Sequence, residues 1–267
     1  MEQRFYKYHG AGNDFVIVDA RTAGFDAARN RVAALCRRRT GIGADGLMLL
    51  EADPQYDFRM RYFNADGGES TMCGNGGRCI ALLAHHLGIG AGRMRFIGTD
   101  GPHDAEILSA DAVSGIVRLG MADVGRIDAR PDYTFLDTGS PHYVEFVDNV
   151  RTVDVARKGA SIRHADAFAA GGGTNVNFVE IVSDGHIRVR TFERGVEDET
   201  LACGTGATAS ALAAAVRSGS ACRSFRVDVE GGTLFVGFEP AADGQFRRIR
   251  LTGPARKVFE GILSDDL

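Results

Sequence analysis

Lysine is scarce in this chain of 267 residues: Lys7, Lys158 and Lys257 are the only three, and none lies in a motif. That scarcity argues against a pyridoxal cofactor, which needs a lysine for its Schiff base. Long apolar runs are also missing. The longest, near residues 80–84 and 211–216, are too short to span a bilayer, and Met1 is followed by Glu-Gln-Arg rather than by a basic and then apolar stretch. Neither export nor a membrane partner is expected. There is no excess of basic charge, and the net charge of −4 argues against a nucleic-acid partner. Paired C-x-x-C spacing is absent too. Cys36, Cys73, Cys79, Cys203 and Cys222 form an odd, scattered set that suits reduced thiols in a cytoplasmic protein better than a disulfide framework or a zinc site.

What the chain does have is a repeat. Glu-x-x-x-Cys-Gly-x-Gly occurs at residues 69–76 and again at 199–206, with the cysteines 130 residues apart. Upstream, Arg59-x-Arg61-x-Phe63 runs into Asn64 as Arg188-x-Arg190-x-Phe192 runs into Glu193; downstream, Ala81-Leu82 and Ala84 recur as Ala211-Leu212 and Ala214. Before each cysteine the pattern alternates as in a half-buried strand, and after it the pattern turns helical. Each copy therefore reads strand, polar loop, Cys-Gly-x-Gly, helix. A near-constant offset across all of these features indicates a duplicated lobe with one cysteine per copy.

With 44% hydrophobic residues the chain can bury a good core as two lobes of ordinary size. Alternation predicts strands at 15–19, 47–51, 58–64, 93–97, 116–119, 143–147, 176–182, 187–192, 225–229, 234–238 and 249–251. Helices are expected at 27–39, 74–87, 153–158 and 204–217. Many strands around one long helix per lobe, without regular crossover helices, is an α+β pattern. The lobes are expected as 1–120, completed by 253–267, and 121–252. Gly41-Ile42-Gly43-Ala44-Asp45-Gly46 satisfies G-x-G-x-x-G, but a helix precedes it and a strand follows, the reverse of a dinucleotide site. It reads as a helix cap and turn, and no nicotinamide or flavin cofactor is implied. Arg37-Arg38-Arg39 reads as a solvated helix end.

A Cys-Gly-x-Gly at a helix start presents unpaired backbone N–H groups and the positive end of the helix dipole to the sulfur. Such surroundings lower a thiol pKa from roughly 8.5 to about 3.5–7.5, and the same amides suit a carboxylate. Two such helix starts could hold one substrate carboxylate with a sulfur on each side of its α-carbon. One thiolate would take the α-hydrogen while the other thiol delivers a proton to the opposite face.

The motifs His9-Gly-Ala-Gly-Asn13-Asp-Phe15, Phe63-Asn64-Ala-Asp66-Gly, Met72-Cys73-Gly-Asn75-Gly-Gly-Arg78-Cys79, Gly139-Ser140-Pro141-His142, Asn175-Val-Asn177-Phe178, Glu193-Arg194-Gly195 and Ala202-Cys203-Gly-Thr205-Gly together resemble the diaminopimelate epimerases over nearly the whole chain. The resemblance implies two pseudo-symmetric lobes, each a strongly curved, largely antiparallel sheet or barrel around a central helix. It implies cofactor-independent epimerisation of LL- to meso-2,6-diaminopimelate, in lysine and peptidoglycan precursor biosynthesis, by a homodimer with no metal. Cys73 and Cys203 would be the catalytic thiols, assisted by His142 and Glu193. Gly74, Asn75, Gly204 and Thr205 would hold the reacting carboxylate through their amides. Asn13, Asn64, Asn175, Glu193 and Arg194 would hold the rest of the substrate, with Arg194 on the distal carboxylate.

Two features depart from the pattern: Gly46 stands where a glutamine is common, and Ser140 where an asparagine often precedes Pro-His. The spacer 196–199 is also one residue longer. These changes touch distal recognition, so two further readings stay open: a racemase of another amino acid on the same fold, and a non-enzymatic amino-acid-binding or thiol-switch protein. Arg194 favours a substrate with a second carboxylate. Cys36 and Cys222 are expected as buried small hydrophobes, Cys79 as packed within its helix, and His85-His86 as an ordinary helix end.

Overall fold

The computed structural model describes residues 3–71 and 73–263. Met72 of the cysteine motif and residues 264–267 of the expected C-terminal segment lie outside the described residues. The chain divides into two compact units, one made of Met1–Leu119 with Gly253–Leu267 and the other of Gly120–Thr252.

In the first unit the order is β1 (Gln3–Gly10), β2 (Asn13–Asp19), α1 (Arg29–Cys36), β3 (Gly46–Glu51), β4 (Phe58–Asn64), β5 (Glu69–Ser70), α2 (Gly74–His86), β6 (Arg93–Gly98), β7 (Gly101–Ala110) and β8 (Ser114–Gly120). The second holds β9 (Ile127–Ala129), β10 (Thr134–Asp137), β11 (Pro141–Phe146), a 3-10 turn (Val150–Thr152), α3 (Val155–Arg163), α4 (Asp166–Ala169), β12 (Asn175–Ser183), β13 (His186–Glu193), β14 (Asp198–Thr200), α5 (Gly204–Ser218), β15 (Ser224–Val229), β16 (Gly232–Pro240) and the long β17 (Phe246–Leu263), whose later half belongs to the first unit.

Pairing closes the first unit into a ring in the order β1, β2, β3, β4, β6, β7, β8, β17 and back to β1. The β2–β3 and β4–β6 pairs are parallel and the others antiparallel. In the second unit the same scheme recurs, with β11–β12 and β13–β15 as the parallel pairs. This ring closes through β9 on β10 and a bridge from Val124 to Phe246 of β17. The fold is α+β with few helices. Each ring has removed its open edges, which would otherwise be templates for aberrant pairing.

One helix fills each ring. Every residue of α2 from Gly74 to Ala84 is buried, and α5 is buried from Ala207 to Ala215. A helix that is buried all round must be apolar or small all round, which explains the run of glycine and alanine in α5. On the opposite side of the strands, Val32, Leu35 and Cys36 of α1 pack with Val16, Val18, Leu47 and Leu49. In the second unit Val155 of α3 packs with Val176, Phe178 and Phe192. The strands β2 and β3 are thus covered on both faces, and each fully buried large apolar side chain contributes about 1.5–3 kcal/mol.

Several elements differ from the sequence expectation. The strand β1 was not expected, because Lys7 and His9 interrupt its apolar pattern; in the fold Lys7 is buried and neutralised by Asp14 at 2.6 Å. β7 was missed because its sequence does not alternate, with Ala105 its one buried residue; flanking strands on both sides hold it. β17 runs far beyond 249–251 in spite of Gly253 and Pro254, since Pro254 keeps its register opposite Ile116. α1 is shorter than 27–39, ending at Cys36, while α3 runs on to Arg163. Arg38 is not merely solvated: it bridges Asp14 at 2.7 Å and Asp45 at 2.8 Å. Cys222 is half-buried in a loop and donates to Asp184 at 3.4 Å, so it is not a core residue.

Candidate active site

In each unit a strand pair delivers the chain to a cysteine that caps the central helix. In the first, Arg61 of β4 holds Glu69 of β5 with two bonds of 2.8 and 3.0 Å. In the second, Arg190 of β13 holds Glu199 of β14 with two bonds of 2.6 Å. Such forked pairs fix direction as well as distance, so the loop leaving each hairpin is aimed at its helix. The extra residue of the second copy is absorbed in the turn, where Glu197 has φ +61°.

Cys73 is the N-cap of α2, with extended backbone (φ −93°, ψ 131°). Its sulfur lies 3.7 Å from Asn13 Oδ1. The orientation of Asn13 is settled by its other atom, since Nδ2 donates to the Asp45 carboxylate at 2.6 Å and only Oδ1 is left to face the sulfur. An amide oxygen accepts, so in this contact the Cys73 S–H is the donor. Asn75, buried in the first turn, donates to the same Oδ1 at 3.3 Å. Beside this cluster, burial would raise the Asp14 carboxyl, but bonds from Arg38 and Lys7 outweigh burial and hold it at about 2.

Cys203, the N-cap of α5, is set differently. Its sulfur accepts from the backbone N–H of Gly206 at 3.3 Å, and Thr205 Oγ1 lies 3.4 Å away. A side chain on Gly206 would stand 2.4 Å from Asn177 Oδ1 and 3.2 Å from the sulfur, so this close approach requires glycine. Behind Thr205 runs a chain of polar groups: Ser140 Oγ donates to Thr205 Oγ1 at 3.4 Å and is 3.1 Å from His142 Nε2.

His142 is fully buried, and burial pushes its pKa down to about 3. It is neutral, and its tautomer follows from its neighbours. Asn177 Nδ2 must face the carbonyl of Tyr143 at 3.0 Å and therefore donates to His142 Nδ1 at 3.1 Å, while Asn177 Oδ1 accepts from Thr191 at 3.0 Å. The proton then sits on Nε2 and points to Ser140. The relay His142, Ser140, Thr205 thus ends by offering a hydroxyl proton to the Cys203 sulfur.

The remaining predicted residues divide between the units. Asn175 donates to Ser140 Oγ at 3.2 Å and accepts from the Arg194 backbone at 2.9 Å. Glu193 accepts from Thr200 at 2.9 Å. The Arg194 guanidinium has a weak bond of 3.4 Å to the Gly171 carbonyl. Asn64 is exposed at the end of β4, opposite Gly46. A side chain at Gly46 would stand 2.5 Å from the Tyr62 ring, so the tyrosine fills the space that a larger residue would need. Sequence reasoning gave no site role to Asn177 and Thr191 and read Ser140 only as a departure in distal recognition; Asn177 stood in the Asn175-Val-Asn177 motif, whereas nothing in the sequence signalled Thr191. Cavities of about 630 Å³ beside Arg190 and Glu199 and about 510 Å³ beside His9 and Arg256 contain none of the predicted site residues. The site is better located by its chemistry than by concavity. Among the described residues no group of three or more His, Cys, Asp or Glu side chains is placed to hold a metal ion.

The fold is that of a phenazine biosynthesis protein of the PhzF family from Bacillus anthracis, with TM-score 0.79, 14% identity and 99% of each chain covered. It is shared by a hydroxyproline epimerase from Agrobacterium vitis with bound trans-4-hydroxy-L-proline, with TM-score 0.71, 15% identity, and 100% and 93% of the two chains covered. The family model for diaminopimelate epimerase matches residues 5–124 and 134–258. The chain is 46% identical over 258 residues to the diaminopimelate epimerase of Flavobacterium psychrophilum, covering 96% of this chain and 98% of the relative. It is also 46% identical over 261 residues to that of Chlorobaculum tepidum, covering 96% and 99%. The chain belongs to the diaminopimelate epimerase family.

Proposed function

We propose that this protein interconverts LL- and meso-2,6-diaminopimelate without a cofactor, by proton transfer between two thiols and one α-carbon. The observation that carries the reading is the pair of cysteine-capped helix starts, one sulfur accepting from a backbone N–H and the other facing an amide oxygen. Cys203, which accepts hydrogen bonds, acts as the thiolate and takes the α-hydrogen of one epimer. The electron pair left on the α-carbon is delocalised into its carboxylate, which the amides at Gly74, Asn75, Gly204 and Thr205 stabilise. Cys73 then gives its S–H proton to the opposite face and becomes the thiolate, ready for the reverse reaction. General acid–base help of about 10²–10⁴-fold is not enough alone, so stabilisation of the developing charge must supply the rest.

His142 acts as a neutral support for Cys203 through Ser140 and Thr205, and Glu193 as an acceptor near the same helix start. Asn13, Asn64, Asn175 and Arg194 hold the rest of the substrate. Arg194 favours diaminopimelate over a monocarboxylic amino acid, because a forked guanidinium matches a second carboxylate. We extend the reading to a cytoplasmic homodimer with no nucleic-acid or membrane partner; an odd, scattered set of five cysteines suits a reducing compartment.

Proton NMR in D₂O tests the proposal: purified protein should erase the α-proton signal of LL-diaminopimelate without added pyridoxal phosphate, and leave L-proline, L-histidine and L-glutamate unchanged. Exchange only in one of the other amino acids would reassign the substrate. No exchange in any by reduced protein would overturn the reading.

A further inference from the structure

Arg78 is a charge that the proton transfer does not use, and it lies wholly inside the protein. Its side chain is 0% exposed. A guanidinium stays protonated even where burial works against it. Buried charges are normally paired, yet its three acceptors are neutral: the Gly74 carbonyl at 3.1 Å, Asn75 Oδ1 at 2.7 Å and the Pro254 carbonyl at 3.5 Å. The ionisable groups that act on it are the thiols of Cys79 and Cys73. Cys79 is fully buried, and burial drives its thiol far above the usual range, so it does not supply the counter-charge. Tyr8, near Cys79, is likewise held neutral by burial. Asp14 is tied to Lys7 and Arg38, and Asp45 to Arg38 and Asn13. Cys73 is left, at the end of the same helix.

We propose that Arg78 is the positioning residue of the Cys73 site, supplying a fixed positive charge whose partner is the Cys73 thiolate formed during the reaction. The geometry gives it a second task. Its bond to Asn75 Oδ1 turns the Asn75 amide nitrogen toward Asn13 Oδ1, the atom that the Cys73 sulfur faces. The other half of the molecule supplies the control. At the repeat offset of 130 residues stands Thr208, which donates to the Gly204 carbonyl at 2.9 Å just as Arg78 donates to Gly74, but without charge. The inference rests on Cys73 being a working thiol of the proposed epimerase.

The test uses the full chain with Cys203→Ser, so that Cys73 is followed alone, and reads the pH dependence of its alkylation by iodoacetamide from the mass of its peptide. R78Q keeps a donor for Asn75 and removes the charge; R78K keeps a charge. We expect the midpoint for Cys73 to rise by about one pH unit or more in R78Q, roughly a tenfold loss of thiolate at fixed pH, and to stay near the parent value in R78K. An unchanged midpoint in folded R78Q, or an equal rise in folded R78K, would overturn the proposal. Should R78Q not fold, R78K decides alone: a retained midpoint supports the charge, and a rise of one unit refutes it. Alkylation needs no substrate, so failure of the epimerase reading would show separately as wild-type protein that exchanges no α-proton.

Discussion

The two halves of the molecule use one topology to solve the same problem in different ways. Around Cys73 the neighbours are an amide oxygen that accepts and a buried guanidinium. Around Cys203 they are a backbone N–H and a hydroxyl backed by a neutral histidine. The first environment offers its sulfur an acceptor, and the second offers its sulfur a donor. Duplication supplied two helix starts of the same form, and divergence of a few side chains gave them different surroundings. The difference teaches that groups outside the repeated motif, Asn13 in one unit and Ser140 and His142 in the other, are what distinguish the two sulfurs.

Removing either sulfur breaks the comparison most severely. Cys73→Ala and Cys203→Ala should each lower epimerisation by at least about 10²-fold, measured as the rate of conversion of LL- to meso-diaminopimelate. Full activity in either variant would end the two-thiol account.

Next in size is an effect of pH on stability from the second unit. The folded pKa of His142, about 3, lies below its unfolded value, so the unfolded chain binds the proton first. The stability gained by keeping this histidine neutral is complete above about pH 6.5 and is lost as pH falls toward 3. At one unit per 1.36 kcal/mol the loss at pH 5 is about 2 kcal/mol. Urea unfolding at pH 7 and pH 5 should show it, and His142→Asn should flatten the difference. An equal loss in that variant would place the effect elsewhere.

A smaller effect separates the two sulfurs. Thr205→Val removes one hydroxyl near Cys203, worth about 1 kcal/mol. The alkylation midpoint of Cys203 should rise by somewhat under one pH unit while that of Cys73 stays put. Movement of both would mean that the units do not tune their thiols independently. Smallest of all is the contrast between the forked pairs. Arg190 is more buried than Arg61 and also holds the carbonyls of Val150 and Val153. Glu199→Gln should therefore cost about 1 kcal/mol and Glu69→Gln about half of that or less, as read from denaturant midpoints.

The repeat was legible because both cysteines, the arginine-rich strands and the alanine-bearing helices kept one offset, and strand alternation survives wherever one face is buried. β1 and β7 were not legible, since neighbouring strands on both sides make up for residues that break the alternation. The site was legible as a set of residue types and not as a network. The relay from His142 to Cys203 depends on side-chain orientation, which spacing does not encode. Arg78 stood in a motif that was read for its cysteine, and spacing does not reveal that it is buried among neutral acceptors.

The central claim, two thiols acting on opposite faces of one carbon, is tested most directly by following deuterium at early conversion of LL-diaminopimelate in D₂O. The account predicts deuterium at the inverted carbon of the meso product and almost none in the recovered LL substrate, because the hydrogen taken by one sulfur returns only to the face it left. Deuterium appearing equally in product and recovered substrate from the start would mean a single base serving both faces, and would contradict the account.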